Sequence, residues 1–301
     1  MTRMAKNQPG KARSVVVTGA STGIGEACAL RLDELAFRVF AGVRREADRE
    51  ALRGKASDRL MPVLMDVTDA ASIASALETI GTAVGEEGLA GLVNNAGIAV
   101  AGPLEFLPLA ELRKQLEVNV IGQIAVMQAF LSLLRRGHGR IVNMGSISGR
   151  MATPFLGAYG ASKFALEALT DALRVELRPW GISVSIVEPG SIATPIWEKS
   201  KAAAAMIEEN LPRQVNDRMQ KLYGPSIVAM RKAADRIARA AIPADFVAQA
   251  VVHALTAKRP KTRYLVGRDA RLRAILAKFV PDRVGDTLAV RHLRLPDQRS
   301  D

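Results

Sequence analysis

The sequence predicts a single α/β domain built on a doubly wound parallel sheet, and three observations carry that prediction. Apolar, β-branched runs alternate with stretches of helical periodicity along most of the 301 residues. The runs are almost continuously hydrophobic, as strands covered by helices on both faces must be. A glycine-rich turn, TGASTGIG, stands between the first run and the first helical stretch.

SVVVTG (14–19), RVFAGV (38–43), LMPVLMDV (60–67), LAGLVNNAG (89–97), GRIVNMGS (139–146) and ISVSIVEPG (182–190) read as strands, with TRYLVG (262–267) as a last one. Helical stretches fall between them at roughly 24–36, 46–55, 69–84, 108–135 and 158–179, and another lies near 243–257. Residues 195–240 break the alternation with a long, helix-prone but irregular insertion. Open α/β sheets bind ligands at the carboxyl ends of their strands, and the insertion follows such an end, so it is expected to act as a helical substrate lid. No internal repeat or long linker divides the chain. The expected organisation is a basic N-terminal tail (1–13), one catalytic domain (14–267) that includes the lid, and a basic C-terminal extension (268–301).

The composition, 49% hydrophobic and 24% charged, is ordinary for a globular protein. The single cysteine, Cys28, excludes an internal disulfide and a cysteine metal cluster, and it fits a reducing, cytoplasmic setting. The three histidines are too scattered to ligate a metal. The chain has no apolar run of about 18 residues and its first residues lack a signal-peptide core, so no segment is expected to span a bilayer. The net charge of +12 is concentrated at the ends, +4 over residues 1–13 and +7 over 258–301. No zinc finger or aromatic RNA-binding motif accompanies it, so no nucleic-acid partner is expected. The ends read as solvated tails, with peripheral contact to an anionic membrane surface or an acidic partner as the sharper alternative.

The glycine turn is the first functional signal. Gly19, Gly23 and Gly25, with Ser21, Thr22 and Ile24 between them, would bring backbone N–H groups and a helix dipole to a pyrophosphate. Gly25 is followed by Glu26 rather than Lys-Ser/Thr, which disfavours a triphosphate. The pattern is that of a Rossmann-like dinucleotide site. An NAD enzyme would carry an acid at the end of the second strand; here Arg44 and Arg45 stand there, and no acid lies between Glu34 and Glu46. A guanidinium fork suits a 2′-phosphate, so NADP(H) is expected in preference to NAD(H), the alternative being simply solvated arginines. Asp66, followed by Val67, is placed for the adenine amino group or for a helix cap. Tyr159 and Lys163 sit one helical turn apart in AYGASK with only small residues between them, which leaves a phenol and an ammonium open to a ligand.

TGASTGIG, NNAG (94–97), Asn119 in EVNVIG, Ser146 in NMGSISG, YGASK (159–163) and EPG (188–190), in that order, resemble the short-chain dehydrogenases/reductases over roughly residues 13–267. TPFLGAYGASKFALE and PKTRYLVGRDAR are similar to members acting on retinoids, hydroxysteroids and other lipophilic alcohols. The resemblance implies a catalytic tetrad of Asn119, Ser146, Tyr159 and Lys163. It adds Asn95, Ala96, Gly97, Pro189, Gly190, Ile192 and Thr194 to a cofactor site that Tyr159 and Lys163 also touch. Tyr159 would be the acid in carbonyl reduction and the base in alcohol oxidation. Lys163 and an oxidised nicotinamide would pull its pKa down from about 10 by ~3 units, which needs roughly 4 kcal/mol. Ser146 would bond the substrate oxygen, and Asn119 would hold a water linking Lys163 to solvent. The implied activity is NADP(H)-dependent interconversion of a secondary alcohol and a ketone, or of a primary alcohol and an aldehyde, by a homo-oligomer. A dinucleotide sensor without turnover is the rival reading, disfavoured by the intact tetrad. In the lid, Trp197, Met206, Leu222 and Tyr223, with Met219 and Met230, are expected either to face an apolar substrate or to pack on the core. His138 reads as part of a surface turn and His253 as a packed helix residue.

Overall fold

The computed structural model describes residues 13–296, so all of the N-terminal tail but Arg13, and the last five residues, lie outside it. Seven strands form one sheet: β1 (Ser14–Val17), β2 (Arg38–Val43), β3 (Leu60–Leu64), β4 (Gly91–Asn94), β5 (Arg140–Met144), β6 (Ser183–Pro189) and, after a separate two-residue pair β7 (Ile192–Ala193) and β8 (Ile242–Pro243), β9 (Arg263–Val266). Their order is β3-β2-β1-β4-β5-β6-β9, and every pairing is parallel. The order reverses between β1 and β4, which makes their carboxyl ends the topological switch point.

The helices are α1 (Gly23–Glu34), α2 (Glu46–Arg53), α3 (Ala70–Val84), α4 (Leu109–Leu116), α5 (Gly122–Arg136), α6 (Gly157–Glu176), α7 (Ile196–Asn210), α8 (Arg213–Arg239), α9 (Asp245–Thr256), α10 (Arg268–Phe279) and α11 (Asp282–Leu293). Side-chain alternation along the strands divides the core in two. Val15 and Val17 point to one side, among Leu32 of α1 and Val251 and Leu255 of α9. Val16 points to the other, among Ile80 of α3 and Phe130 and Leu134 of α5. This two-sided burial is why the strands read as continuous apolar runs.

Between α4 and α5 the helix passes through a π-turn, Glu117–Ile121, and does not stop. Within the 28-residue run Leu109–Arg136 an 18-residue window reaches a mean hydropathy of 1.5, so by length and composition alone it could cross a bilayer, which the sequence reading had not expected. Its inner face is core nonetheless: Val126, Phe130 and Leu134 are fully buried under the sheet.

The insertion is two helices, α7 and α8, and its ends are pinned by β7 and β8, where Ile192 pairs with Ile242 and Ala193 with Pro243. Between the pins burial is thin. α7 buries no residue, and α8 buries only Met219, Ile227 and Ala233. Such a segment opens at lower free energy than the core.

The segment after β9 is not the solvated tail that its charge suggested. α10 lays Ala270 and Ala274 against Ile147, and Arg273 donates to the Thr153 hydroxyl at 2.9 Å. Asp269 accepts from the Ser191 N–H at 2.7 Å and from its hydroxyl at 2.8 Å. A Cβ on Gly190 would lie 2.3 Å from the Asp269 carboxylate, so a glycine there lets α10 dock. Two alanines make too small an apolar stripe to show in the sequence. Asp269→Ala removes both acceptor contacts and strands the Ser191 N–H, which costs about 1–3 kcal/mol. We expect a lower urea midpoint and faster proteolytic cleavage within 268–293; unchanged cleavage would show that α10 is held by other contacts.

Candidate active site

The structure brings the sequence-predicted residues to one edge of the sheet. Gly19–Gly25 follows β1, Arg44 and Arg45 follow β2, and Asp66 and Val67 follow β3. Asn95–Gly97 follows β4, Ser146 follows β5, and Gly190 to Thr194 follow Pro189, the last residue of β6. Asn119 lies in the π-turn, and Tyr159 and Lys163 lie in the first two turns of α6.

The glycine turn is built by close approach. Gly19 and Gly23 both have φ of +64°, a conformation that other residues take only at a cost. A Cβ on Gly25 would sit 2.2 Å from the Gly19 carbonyl oxygen and 2.4 Å from Asn95 Nδ2. Asn95 Nδ2 donates to the carbonyls of Thr18 (2.9 Å) and Gly19 (3.1 Å). The Thr18 hydroxyl in return accepts the N–H groups of Asn95 (2.9 Å) and Ala96 (3.0 Å). Asn95 and Ala96 therefore brace the turn from β4. Thr22 starts α1 without a side-chain cap, so the helix's first N–H groups have no internal acceptor from it. Gly23 packs on Thr194, and Lys199 of α7 donates to the Thr22 hydroxyl at 3.2 Å, so the root of the insertion touches this turn. Ile24 and Ile192 pack into the core, and Val67 is buried with its carbonyl against Gly122.

The two arginines are not equivalent. Arg45 holds Asp48 in a two-pronged pair at 2.7 and 2.8 Å, and this keeps the Asp48 carboxyl below the usual range. Arg44 is exposed and forms no hydrogen bond or ion pair among the described residues. The Asp66 carboxylate accepts from the Thr68 N–H (2.9 Å) and hydroxyl (2.8 Å), a turn cap. Burial would raise its pKa, but those bonds and the Arg44 charge bring it below the ordinary value.

Around Tyr159 the electrostatics differ from the sequence expectation. Burial pushes the phenol above its ordinary pKa, outweighing the hydrogen bond with Ser146 that lowers it. Lys163 is buried one turn further along α6. Its Nζ donates to the Met144 carbonyl at 2.7 Å and lies 5.7 Å from the Tyr159 ring centre. Burial pulls Lys163 down to about 8, against the opposing charge of Glu167. The Asn119 side chain is fully engaged. It accepts the Ile98 N–H (2.9 Å) and donates to the Ile98 carbonyl (3.0 Å) and to the Ser162 hydroxyl (3.1 Å). Asn119 thus fixes the segment after β4 to α6.

A charged network below Lys163 escaped the sequence reading. Glu188 is fully buried and accepts from Arg150 at 2.8 Å. Arg263 of β9 pairs with Glu167 and, at 2.6 Å, with Asp171. Burial and the neighbouring Glu188 push Glu167 up to about 7. The only sequence signal was spacing, since Tyr159, Lys163 and Glu167 repeat every four residues. In the insertion, Met206 is exposed and Met219 is buried, while Tyr223 meets Phe106 and Phe155 edge-on and bonds Glu105 at 3.0 Å. His253 is a packed helix residue, its Nδ1 2.8 Å from the Tyr264 hydroxyl.

A family profile described as short chain dehydrogenase matches residues 13–205. The chain is 36% identical over 293 residues to an NADPH-dependent 3-dehydrocapnine reductase of Ornithobacterium rhinotracheale, covering 96% of this chain and 100% of that one. It is 36% identical over 301 residues to retinol dehydrogenase 5 of Mus musculus, covering 98% and 93%. Among solved structures it is similar to a short chain dehydrogenase of Burkholderia cenocepacia J2315 in complex with NADP. That likeness has a TM-score of 0.69 and 27% identity, covering 95% of this chain and 99% of the other.

All three tyrosines, Tyr159, Tyr223 and Tyr264, have pKa values raised above the ordinary 10. An ultraviolet titration of the cofactor-free protein should therefore show no phenol ionising below about 10. A lower step that vanishes in Tyr159→Phe would show that Lys163 alone suffices to activate the phenol.

Proposed function

The chain belongs to the short-chain dehydrogenase family, and on that premise we propose that it is an NADP(H)-dependent oxidoreductase interconverting a secondary alcohol and a ketone on a lipophilic substrate. One observation carries the reading: Tyr159 stands between Ser146 and Lys163 at the sheet edge that also holds the uncapped glycine turn. The turn fits a dinucleotide, because its glycines leave no side chain over the start of α1. Arg44, which makes no hydrogen bond or ion pair among the described residues and is not preceded by an acid, supports a 2′-phosphate. The NADPH-dependent relative and the NADP-bound neighbour point the same way. Bound there, the cofactor supplies or accepts the hydride.

The protein's own part is the proton. Ser146 orients the Tyr159 phenol and is placed to donate to the substrate oxygen, stabilising alkoxide charge. With its pKa held high, Tyr159 is protonated at neutral pH and ready to act as the acid in carbonyl reduction. Lys163⁺ beside it favours the phenolate left behind. Asn119 keeps α6 in register with the segment after β4. The insertion 195–240 is the substrate lid of a catalytic unit spanning 14–267, and the retinol-named relative supports an apolar substrate beneath Tyr223. Leu272, Ile275 and Phe279 of α10 are exposed beside Arg268, Arg271 and Lys278, which suits the C-terminal extension to peripheral contact with an anionic membrane.

Two measurements test this. Arg44→Ala should weaken NADPH binding about 10–100-fold, the worth of one charge-assisted contact, and leave NADH binding unchanged. Arg45→Ala should do less, because Asp48 already holds that guanidinium. Equal affinity of the parent for NADPH and NADH would overturn the cofactor assignment. Tyr159→Phe should fold, bind NADPH and lose at least about 10²-fold in turnover across a series of ketones of increasing chain length. In the parent, kcat/KM should climb with chain length, and a flat profile would remove the lipophilic substrate.

A further inference from the structure

We infer that Lys199, carried on the first turn of the insertion, is a ligand for the phosphates of the dinucleotide at the glycine turn, so that bound cofactor fastens the root of the lid. The inference rests on the dinucleotide reading given above.

The start of α7 is positioned by contacts of its own. Ile192 and Ala193 of β7 pair with Ile242 and Pro243 of β8. The Trp197 indole N–H donates to the Ile192 carbonyl at 2.8 Å, and the Lys199 N–H donates to the Pro195 carbonyl at 3.0 Å. A Cβ on Gly23 would lie 3.1 Å from the Thr194 side chain, so this root rests against the residue that opens α1. From there the Lys199 ammonium reaches the Thr22 hydroxyl at 3.2 Å. Thr22 stands at the N-cap of α1 and gives the helix no side-chain acceptor.

That contact does not account for an ammonium. The hydroxyl carries no charge, and Lys199 forms no ion pair among the described residues. The carboxylates around it are already taken. Asp48 is held by both prongs of Arg45, Glu26 by Lys55 at 2.5 Å, and Glu198 by Lys201 at 3.0 Å. Other cations of the insertion are matched across it, Lys201 to Asp235 and Arg231 to Glu208, each at 2.6 Å. Arg44, Arg45 and Lys199 all act on the charge of Asp48, so three cations surround one carboxylate at this end of the turn. Two positive charges are left over beside glycines that leave the start of α1 open. A surplus of this kind suits an anion with more than one negative charge, as a phosphorylated dinucleotide is. Arg44 and Arg45 belong to the frame, whereas Lys199 belongs to the cover. Because α7 buries no residue, a charged contact at its root adds to few others, and a ligand that makes it stabilises the closed lid by mass action.

The test uses the full chain, NADPH and two probes without nicotinamide: ADP-ribose, which has the pyrophosphate, and adenosine 2′,5′-bisphosphate, which has the 2′-phosphate. By calorimetry, Lys199→Met should weaken NADPH binding at least about threefold, the scale of a solvent-facing charge pair, and Lys199→Arg should retain most of it. Weaker ADP-ribose binding in Lys199→Met assigns the contact to the pyrophosphate. Weaker bisphosphate binding with ADP-ribose unchanged assigns it to the 2′-phosphate. Saturating NADPH should also slow proteolytic cleavage within 196–212 in the parent, and slow it less in Lys199→Met. Unchanged NADPH affinity in Lys199→Met overturns the proposal, as does cleavage that saturating NADPH affects equally in parent and variant. A parent that binds neither NADPH nor NADH is a different result, and it overturns the dinucleotide reading itself.

Discussion

The site depends on a set of side-chain amides and hydroxyls that tie neighbouring strands together beyond the reach of their ladder hydrogen bonds. Thr18 and Asn95 lock the turn after β1 to the segment after β4. One residue back, Asn94 donates to Asn143 of β5, and Asn143 donates to Thr170 of α6. The chain of bonds runs from the glycine turn through two strands to the helix that bears Tyr159 and Lys163. All three donors and acceptors in the interior, Asn94, Asn143 and Thr170, are buried, so breaking one link leaves a partner unsatisfied. That penalty holds the glycine turn and the tyrosine at a fixed separation across the sheet.

On this rigid frame the protein places groups whose charges are costly. A phenol raised by burial, an ammonium lowered to about 8 and a carboxylate raised to about 7 follow one another along α6. Away from the site, the carboxylates with shifted values are lowered by cations, as Asp48 is by Arg45 and Asp235 by Lys201. Three shifts with desolvation as the largest cause, in succession on one helix face at a sheet edge, mark a place where proton affinity is being set.

The covering elements obey a different rule. α7 and α8 bury little and are fastened at their ends by β7 and β8, and near the glycine turn by Thr194 and Lys199. α10 is held by Asp269, Arg273 and two alanines. Segments fastened at few points can move without disturbing the core, which suits the lid role proposed for α7 and α8.

The sheet, the helices that flank it, the glycine turn and the Tyr159–Lys163 spacing were legible in the sequence. Burial on both faces imposes unbroken apolar strands, and the turn and the helix are local in the chain. The π-turn at Asn119, the β7–β8 clasp and the docking of α10 were not legible, because each rests on partners far away in sequence or on side chains as small as alanine. The same holds for function. Sequence placed Arg44 and Arg45 side by side, but only the fold gave Arg45 to Asp48 and left Arg44 without a hydrogen bond or ion pair among the described residues. Sequence also put an ammonium one turn from a phenol; tertiary structure buried the ammonium, left the phenol half-buried, turned the ammonium toward Met144 and set Glu167 one turn further along the helix. Residue order determines which groups are near along the chain, whereas proton affinity follows from the water and charge excluded or admitted around them, and that is decided by packing.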